Sequence, residues 1–412
     1  MRRIYPRLIF VVPAALLLGA VAVHLPPPYA TPAVNNHPVV IAKPAQAQLR
    51  LPPGFNISVW AEGFEMPRYM LYGDHGEILL SDSGGNAAAA AVGHARTGGN
   101  SGKVYVFPGG QASQPKELLS GLNRPYGLAL WRNYLYVAEA DSVKRYRYDP
   151  SAFKAGKPEE VVSLKGFDKG HWTRALLFDN SGSKLYVGVG SAGNVDTGED
   201  PRRAAINRYD PDGRNHEIFA SGTRNPTALH WYPGSNTLWA SVQERDNLGD
   251  DLVPDYFTHV EKGQFFGWPY AYIGQHHDPR IRDPRNFTAK TVVPDVLLGS
   301  HVAVLDFTFY TGRQFPAEYR GGAFLAYHGS WNRSARVGYE VAFLPFRNGK
   351  PDGQPRDFLT GWMISPESKD VWGRPVAVLE MKDGSLLVSD DGGKKIWRIS
   401  YSGNQMETRR RR

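Results

Sequence analysis

One short pattern returns six times between residues 78 and 390: a turn, then an apolar strand that ends in a small or polar residue. The copies are Ile78-Leu79-Leu80-Ser81-Asp82, Leu135-Tyr136-Val137-Ala138-Glu139, Leu185-Tyr186-Val187-Gly188-Val189, Leu238-Trp239-Ala240-Ser241-Val242, Phe324-Leu325-Ala326-Tyr327-His328 and Leu386-Leu387-Val388-Ser389-Asp390. Three of them follow a second strand-like run, at 126–130, 174–178 and 376–379, across turn residues such as Asn180-Ser181-Gly182 or Lys382-Asp383-Gly384. The spacing between copies is too long for a hairpin and suits a four-stranded blade with loops of variable length. A single blade would leave both faces in water. Stacking blades around an axis buries the faces, and closing the ring protects the edges. The pattern therefore predicts an all-β, six-bladed β-propeller over residues 51–402. Two β-sandwich domains are the alternative that a chain of 412 residues also allows. Helical periodicity of any length is missing from this body, and 44 Gly and 31 Pro agree with a turn-rich chain.

Ahead of the repeats, Arg2, Arg3 and Arg7 precede an apolar run over 8–25. Basic residues followed by a short apolar core predict a signal peptide or N-terminal membrane anchor over 1–25. Small-x-small cleavage patterns stand at Ala20-Val21-Ala22 and Ala45-Gln46-Ala47, with a Pro- and Ala-rich linker over 26–50. The expectation is an exported, periplasmic protein, free or attached to the inner membrane. The absence of Cys excludes disulfides, thiolate metal sites and cysteine nucleophiles. The net charge of +8 is owed partly to a basic tail over 403–412 that ends in four arginines. No basic stretch is interleaved with aromatics, so nucleic acid is not an expected partner.

In a propeller the inner strands converge on a channel, and the loops at one mouth pool side chains from every blade. The run Gly188-Val189-Gly190-Ser191-Ala192-Gly193 matches G-x-G-x-x-G, but a dinucleotide site needs a helix after the glycines. Here the polar Asn194-Val195-Asp196-Thr197-Gly198 follows, so the glycines read as a turn at a strand end. His171 stands at the start of an apolar strand, and Arg224-Asn225-Pro226, Trp331-Asn332-Arg333 and Arg374-Pro375 occupy comparable blade edges. One mouth would then receive His171, Arg224, Arg333 and Arg374. Several guanidiniums held together imply an anionic, carboxylated or phosphorylated ligand. Gln243-Glu244-Arg245-Asp246 with Asp250-Asp251 offers oxygen donors of the kind a hard cation takes, or is a solvated acidic loop. No G-x-S-x-G or zinc spacing occurs, and His276-His277-Asp278 reads as surface loop.

The order of His171, Leu185-Tyr186-Val187-Gly188-Val189-Gly190-Ser191, Gly222-Thr223-Arg224-Asn225-Pro226, Gly267-Trp268-Pro269-Tyr270, His328-Gly329-Ser330-Trp331-Asn332-Arg333, Gly373-Arg374-Pro375 and Leu387-Val388-Ser389-Asp390-Asp391 resembles the glucose/sorbosone dehydrogenase family, nearest its L-sorbosone branch. The likeness runs from about residue 51 to 401. It implies pyrroloquinoline quinone (PQQ) and Ca²⁺ as cofactors, a sugar or aldehyde substrate, and an external quinone or cytochrome as electron acceptor. It also implies His171 as general base, Arg224 and Asn225 beside the cofactor, and Trp331, Arg333 and Arg374 near it. Ca²⁺ would bind in the loop holding Glu244 and Arg245. The soluble glucose dehydrogenases have a Gly-Pro pair where this chain has Glu244-Arg245, and their late cofactor-gripping Lys and Arg pair has no counterpart here. Two other functions remain open to the residues: a calcium-dependent lactonase-type hydrolase using Asp82, Glu139, Asn225 and Asp390 around a central ion, and a non-catalytic propeller that binds a carbohydrate or a protein.

Overall fold

A computed structural model describes residues 23–85, 99–112 and 115–403; most of the predicted export segment, and the basic tail from 404, lie outside the described residues. The body is a six-bladed propeller of antiparallel four-stranded sheets. In chain order, blades 1, 2 and 3 begin with the inner strands Pro67–Tyr72, Leu128–Trp131 and Arg174–Phe178. Blades 4, 5 and 6 begin with Asn225–Trp231, Val304–Phe309 and Pro375–Glu380. Each inner strand packs against the inner strand of the next blade, and blade 6 returns to blade 1, so the ring is closed. No α-helix occurs among the described residues.

All six sequence repeats are the second strand of a blade, and their endings have structural reasons. Ser81 of blade 1 donates to the Tyr126 carbonyl at the start of blade 2 (2.7 Å), and Ser389 of blade 6 donates to the Arg68 carbonyl of blade 1 (2.6 Å). The acid that follows caps its own blade. Asp82 accepts the N–H groups of Glu65 and Met66, Glu139 accepts that of Asn123, and Asp390 accepts that of Arg374. The Met66 and Arg374 N–H groups lie just before an inner strand and would otherwise be buried without a partner. Between blades 2 and 3 the contact is closer still. A Cβ on Gly127 would lie 2.4 Å from the Arg174 carbonyl, and Gly127 N–H donates to that oxygen at 3.1 Å.

The ring is closed by the two ends of the body. Phe55–Glu62 pairs antiparallel with Lys395–Tyr401, so the outer strand of blade 6 comes from the beginning of the chain and its other three from the end. Phe55 locks this strand by packing against Phe315, Tyr319, Phe358 and Tyr401 at 4.7–5.4 Å between centroids.

The run 26–50 is not the free linker that its Pro and Ala content predicts. It lies across the blades as a strap. Tyr29 N–H donates to the Leu248 carbonyl, Asn36 N–H to that of Trp331, and Val39–Val40 pairs in parallel with Asp370–Val371. Val23 and Leu25 pack against the core of blades 3 and 4. Composition missed this because the anchors are backbone groups and short polar side chains, which carry no periodicity.

Closure through the outer strand makes a contrast between two of its residues. Phe55→Ala should lower unfolding free energy by about 2–4 kcal/mol. Val59→Ala on the same strand, where Val59 is 43% exposed, should cost less than about 1 kcal/mol. Urea denaturation of both variants checks this, and equal losses would mean that the strand does not close the ring.

Candidate functional site

A cavity of about 330 Å³ opens at one mouth of the channel. Its wall contains His171, Arg224, Asn225, Glu244, Trp331 and Arg374 from the sequence-predicted set, together with Arg68, Arg124, Trp172, Asp246, Asp255, His301 and His328.

His171 is set by the loop before the inner strand of blade 3. Its Nδ1–H donates to the Ser191 carbonyl (2.9 Å), whose oxygen also takes the His171 N–H at 3.1 Å. This leaves Nε2 as the acceptor nitrogen. Arg174, fully buried, clamps the loop through the carbonyls of His171 and Thr173 with one nitrogen and those of Ala140 and Phe167 with the other (2.7–2.8 Å). Gly190 lets the next strand end approach: a Cβ there would lie 2.5 Å from the His171 Cβ and 2.4 Å from the Asn225 Oδ1. The G-x-G-x-x-G run is thus a strand end built for close packing, and a loop follows it, as the sequence reading expected. Burial, and then the nearby Arg224 guanidinium, push His171 down to about 3, so the ring is neutral.

Four guanidiniums line the cavity, and they differ in what neutralises them. Arg224 pairs with Asp246 (3.0 Å) and donates to the Asn194 side chain and the Glu244 carbonyl. Arg68 pairs with Asp391 behind the wall and lies over the rings of Trp172 and Tyr126 (5.1 and 5.3 Å). Arg374 donates only to carbonyls, those of His328 (3.2 Å) and Gly329. Arg124 donates to the Asp168 carbonyl (2.9 Å) and lies over the same Trp172 ring at 5.4 Å. Among the described residues, no carboxylate lies within ion-pair distance of Arg124 or Arg374. The buried Arg68 Nε and Asn225 Oδ1 have no hydrogen-bond partner among the described residues. The wall therefore carries positive charge and polar capacity that the protein does not itself satisfy.

Two of the predicted residues are elsewhere. Arg333 does not reach the cavity: its guanidinium is held at the rim by the Asp250 carbonyl and the Asp251 carboxylate (2.9 Å). Trp331, two residues earlier, does line the cavity; the chain bends between the two positions, so they do not share a face as they would in an extended strand. Arg245 is sealed in the interior, paired with Glu244 (3.0 Å) and Asp278 (3.1 Å), and donating to the Pro269 and Ala271 carbonyls. Asp278 is thus a buried ion-pair partner and not surface loop. The acids named for a central ion do not converge either, since Asp82, Glu139 and Asp390 are spent on the caps described above. Among the described residues no cluster of three or more His, Asp or Glu could hold a metal.

Arg68, Arg124 and His328 were missed as site residues by pattern reading. Arg68 and Arg124 follow no shared motif, and only ring closure brings blade 1 and the start of blade 2 against blade 6. His328 donates to Asp391 from Nε2 at 2.9 Å. Burial, and then Arg374, push it down to about 4, while its proximity and that of Arg68 hold the Asp391 carboxyl well below the usual range.

The fold and the wall define a class: a six-bladed propeller with a cationic, aromatic-walled ligand pocket at one mouth. Within that class, a family model described as TrAA12-like matches residues 49–256 and 258–402, and the chain belongs to that family. It is 29% identical over 375 residues to an uncharacterized protein of Borreliella burgdorferi, covering 88% of this chain and 93% of that protein. It is 24% identical over 420 residues to a pyrroloquinoline quinone-dependent pyranose dehydrogenase of Coprinopsis cinerea, covering 85% of this chain but 54% of that one, about half its length. The holo PQQ domain of the C. cinerea enzyme shares the fold (TM-score 0.69, 18% identity, 87% of this chain and 98% of that one). So does a Trichoderma reesei enzyme of carbohydrate-active family AA12 in its calcium structure (TM-score 0.70, 19% identity, 89% and 99%).

The pocket histidines have a consequence for stability. His328 binds a proton at about pH 6.5 when unfolded and only near 4 when folded. The unfolded state then holds more protons in that window, so stability present above pH 6.5 is lost as the pH falls toward 4, by at most about 1.4 kcal/mol per pH unit. His328→Gln should flatten the fall in melting temperature over this window. An unchanged slope would show that His328 is not excluded from protonation by its site.

Proposed function

We propose that this chain is a PQQ- and calcium-dependent oxidoreductase that oxidises a sugar or a sugar-derived aldehyde. The observation that carries the reading is the unneutralised guanidinium charge beside an aromatic wall. Arg124 and Arg374 lack carboxylate partners among the described residues, and both Arg68 and Arg124 lie against Trp172. A flat tricarboxylate such as PQQ supplies what this wall lacks, anions for the guanidiniums and a ring for the indole. The C. cinerea relative carries that cofactor in its name, which supports the same choice.

On this reading Arg68, Arg124 and Arg374 hold the carboxylates, with Arg224 and Asn225 flanking. Held there, PQQ would supply a two-electron acceptor for the hydride that leaves the substrate carbon. His171 takes the remaining proton from the substrate hydroxyl, or from an aldehyde hydrate, at Nε2. The Nδ1–H bond to Ser191 fixes the tautomer that makes Nε2 the base. The low affinity of His171 for a proton comes first from burial and then from Arg224; an anion seated against Arg224 would offset the second cause and make the imidazole a stronger base. Arg174 acts on the reaction by keeping the His171 loop in place.

Calcium fits less simply. The loop 243–246 presents oxygens, but the Glu244 carbonyl receives Arg224 and the Asp246 carbonyl receives Asn194 and Arg280. A cation beside Arg224 would be repelled unless an anion entered with it. Ca²⁺ is thus expected to bind tightly only together with the cofactor, through oxygens of Glu244 and Asp246; Arg245 is too deeply buried to take part.

The test uses the purified full chain, titrated with PQQ by absorbance with and without Ca²⁺, followed by dye-linked oxidation of an aldose and aldehyde panel. PQQ binding should tighten with Ca²⁺, and activity should require both. His171→Ala should retain PQQ binding and lose about 10²–10⁴-fold in turnover. Unchanged turnover in that variant would remove His171 from the mechanism, and no PQQ binding in the wild type would remove the reading.

We place the protein outside the cytoplasm, with a soluble or membrane-bound quinone or a cytochrome as its electron acceptor. No helix of the described residues is long and apolar enough to cross a membrane. Cleavage after Ala47 would remove the strap and its contacts with blades 4 to 6, so processing is expected near Ala22 or not at all. Intact-mass measurement of the exported chain checks this, and a mature terminus at residue 48 would contradict it.

A further inference from the structure

The family match begins at residue 49, so the strap lies ahead of the matched span, yet it helps to build the pocket. Its anchors run along the loops of blades 4, 5 and 6 on the face that carries the cavity. Tyr29 is tied to Leu248, and Thr31 Oγ1 accepts the Asp250 N–H at 2.6 Å. Asn332 Nδ2 donates to the Val34 carbonyl, and Arg336 donates to the Asn36 side chain at 2.9 Å. Immediately after this last anchor comes His37, and Pro38 leads on to the short parallel strand Val39–Val40. The His37 imidazole is stacked on the Trp331 indole, 4.9 Å between centroids and 5° between planes, and both side chains line the cavity. His37 has no place in the mechanism above.

We propose that His37 is a specificity-determining residue, and that the strap is a fixed wall restricting the pocket to a single sugar unit. The proposal rests on the sugar-oxidising reading. A pyranose presents an apolar C–H face that docks on flat aromatic rings, and the stacked His37–Trp331 pair supplies such a surface at the cavity wall. Backbone hydrogen bonds on both sides of His37 hold the wall in one position, so a ligand is fitted to it and does not displace it. One cavity of about 330 Å³ has to take cofactor and substrate together, so the wall that bounds it on the side of blades 4 to 6 acts directly on the size of sugar admitted. Arg124, Arg68 and Trp172 lie across blades 1 to 3, away from His37 in the ring, which separates the strap from most of the cofactor-holding side chains.

The experiment compares wild type, His37→Ala and His37→Phe as full chains loaded with PQQ and Ca²⁺. Glucose, maltose and maltotriose serve as probes, and PQQ affinity and melting temperature are measured in parallel. His37→Ala should bind PQQ within about twofold of wild type. It should raise the monosaccharide KM about tenfold with kcat within about threefold, and shift the trisaccharide-to-monosaccharide ratio of kcat/KM upward by about tenfold. His37→Phe restores a flat ring and should stay near wild type in that ratio. An unchanged KM and ratio in His37→Ala would overturn the proposal, as would a loss of kcat at constant KM, or the same loss in both variants with a lowered melting temperature. Wild type that binds PQQ and oxidises these sugars while His37→Ala matches it sinks the strap alone. Wild type that neither binds PQQ nor oxidises any sugar sinks the functional reading, and the strap proposal with it.

Discussion

Everything in this molecule depends on radial closure. No blade has a core of its own. Its faces are buried only by the two blades beside it, and the last face is covered only when Phe55–Glu62 pairs with Lys395–Tyr401. That pairing spans almost the whole body in sequence, so its loop-closure cost is met once, by the burial of all six interfaces together. The serine bridges from Ser81 and Ser389 and the close approach at Gly127 are local devices serving the same constraint. They bring neighbouring inner strands near enough to satisfy buried backbone groups.

The site follows from how the repeat is broken. In blades 1, 2 and 6 the second strand ends in an acid that caps its own blade, Asp82, Glu139 and Asp390. In blades 3 and 4 the same position is Val189 and Val242, followed by Gly190-Ser191 and by Gln243-Glu244, and in blade 5 it is His328 itself. The cap is lost there, and the freed positions hold His171 from Ser191, meet Arg224 at the Glu244 carbonyl, and supply His328. Blades 1 and 2 then contribute through residues outside the repeat, Arg68 and Arg124. The pocket's surplus positive charge arises because these arginines come from separate blades and share too few carboxylates.

Much of this was legible in the residues. The repeat was readable because an apolar second strand with a polar end is required in every blade, whatever its loops do. Arg224, Asn225 and Arg374 were readable as cavity-lining because they stand directly at strand ends, whose direction the strand itself sets; His171 lies three residues ahead of its strand, in a loop that Arg174 holds. Arg333 and Arg245 misled for the opposite reason. Both sit in loops, where one residue's shift in register turns a side chain from the cavity to the rim or into an interior ion pair. The strap was invisible because Pro- and Ala-rich sequence has the same composition whether it is solvated or pinned by backbone hydrogen bonds.

What the sequence determined alone is the all-β character, the number of blades and the strand ends that face the channel mouth, since these rest on local periodicity and turn chemistry. What only the tertiary structure decided is which charges are left over. Arg68 is neutralised by an aspartate more than three hundred positions away, Arg333 by Asp251, and Arg374 by no carboxylate among the described residues. Electrostatic pairing depends on distance in space across closed blades, and no pattern along the chain encodes it.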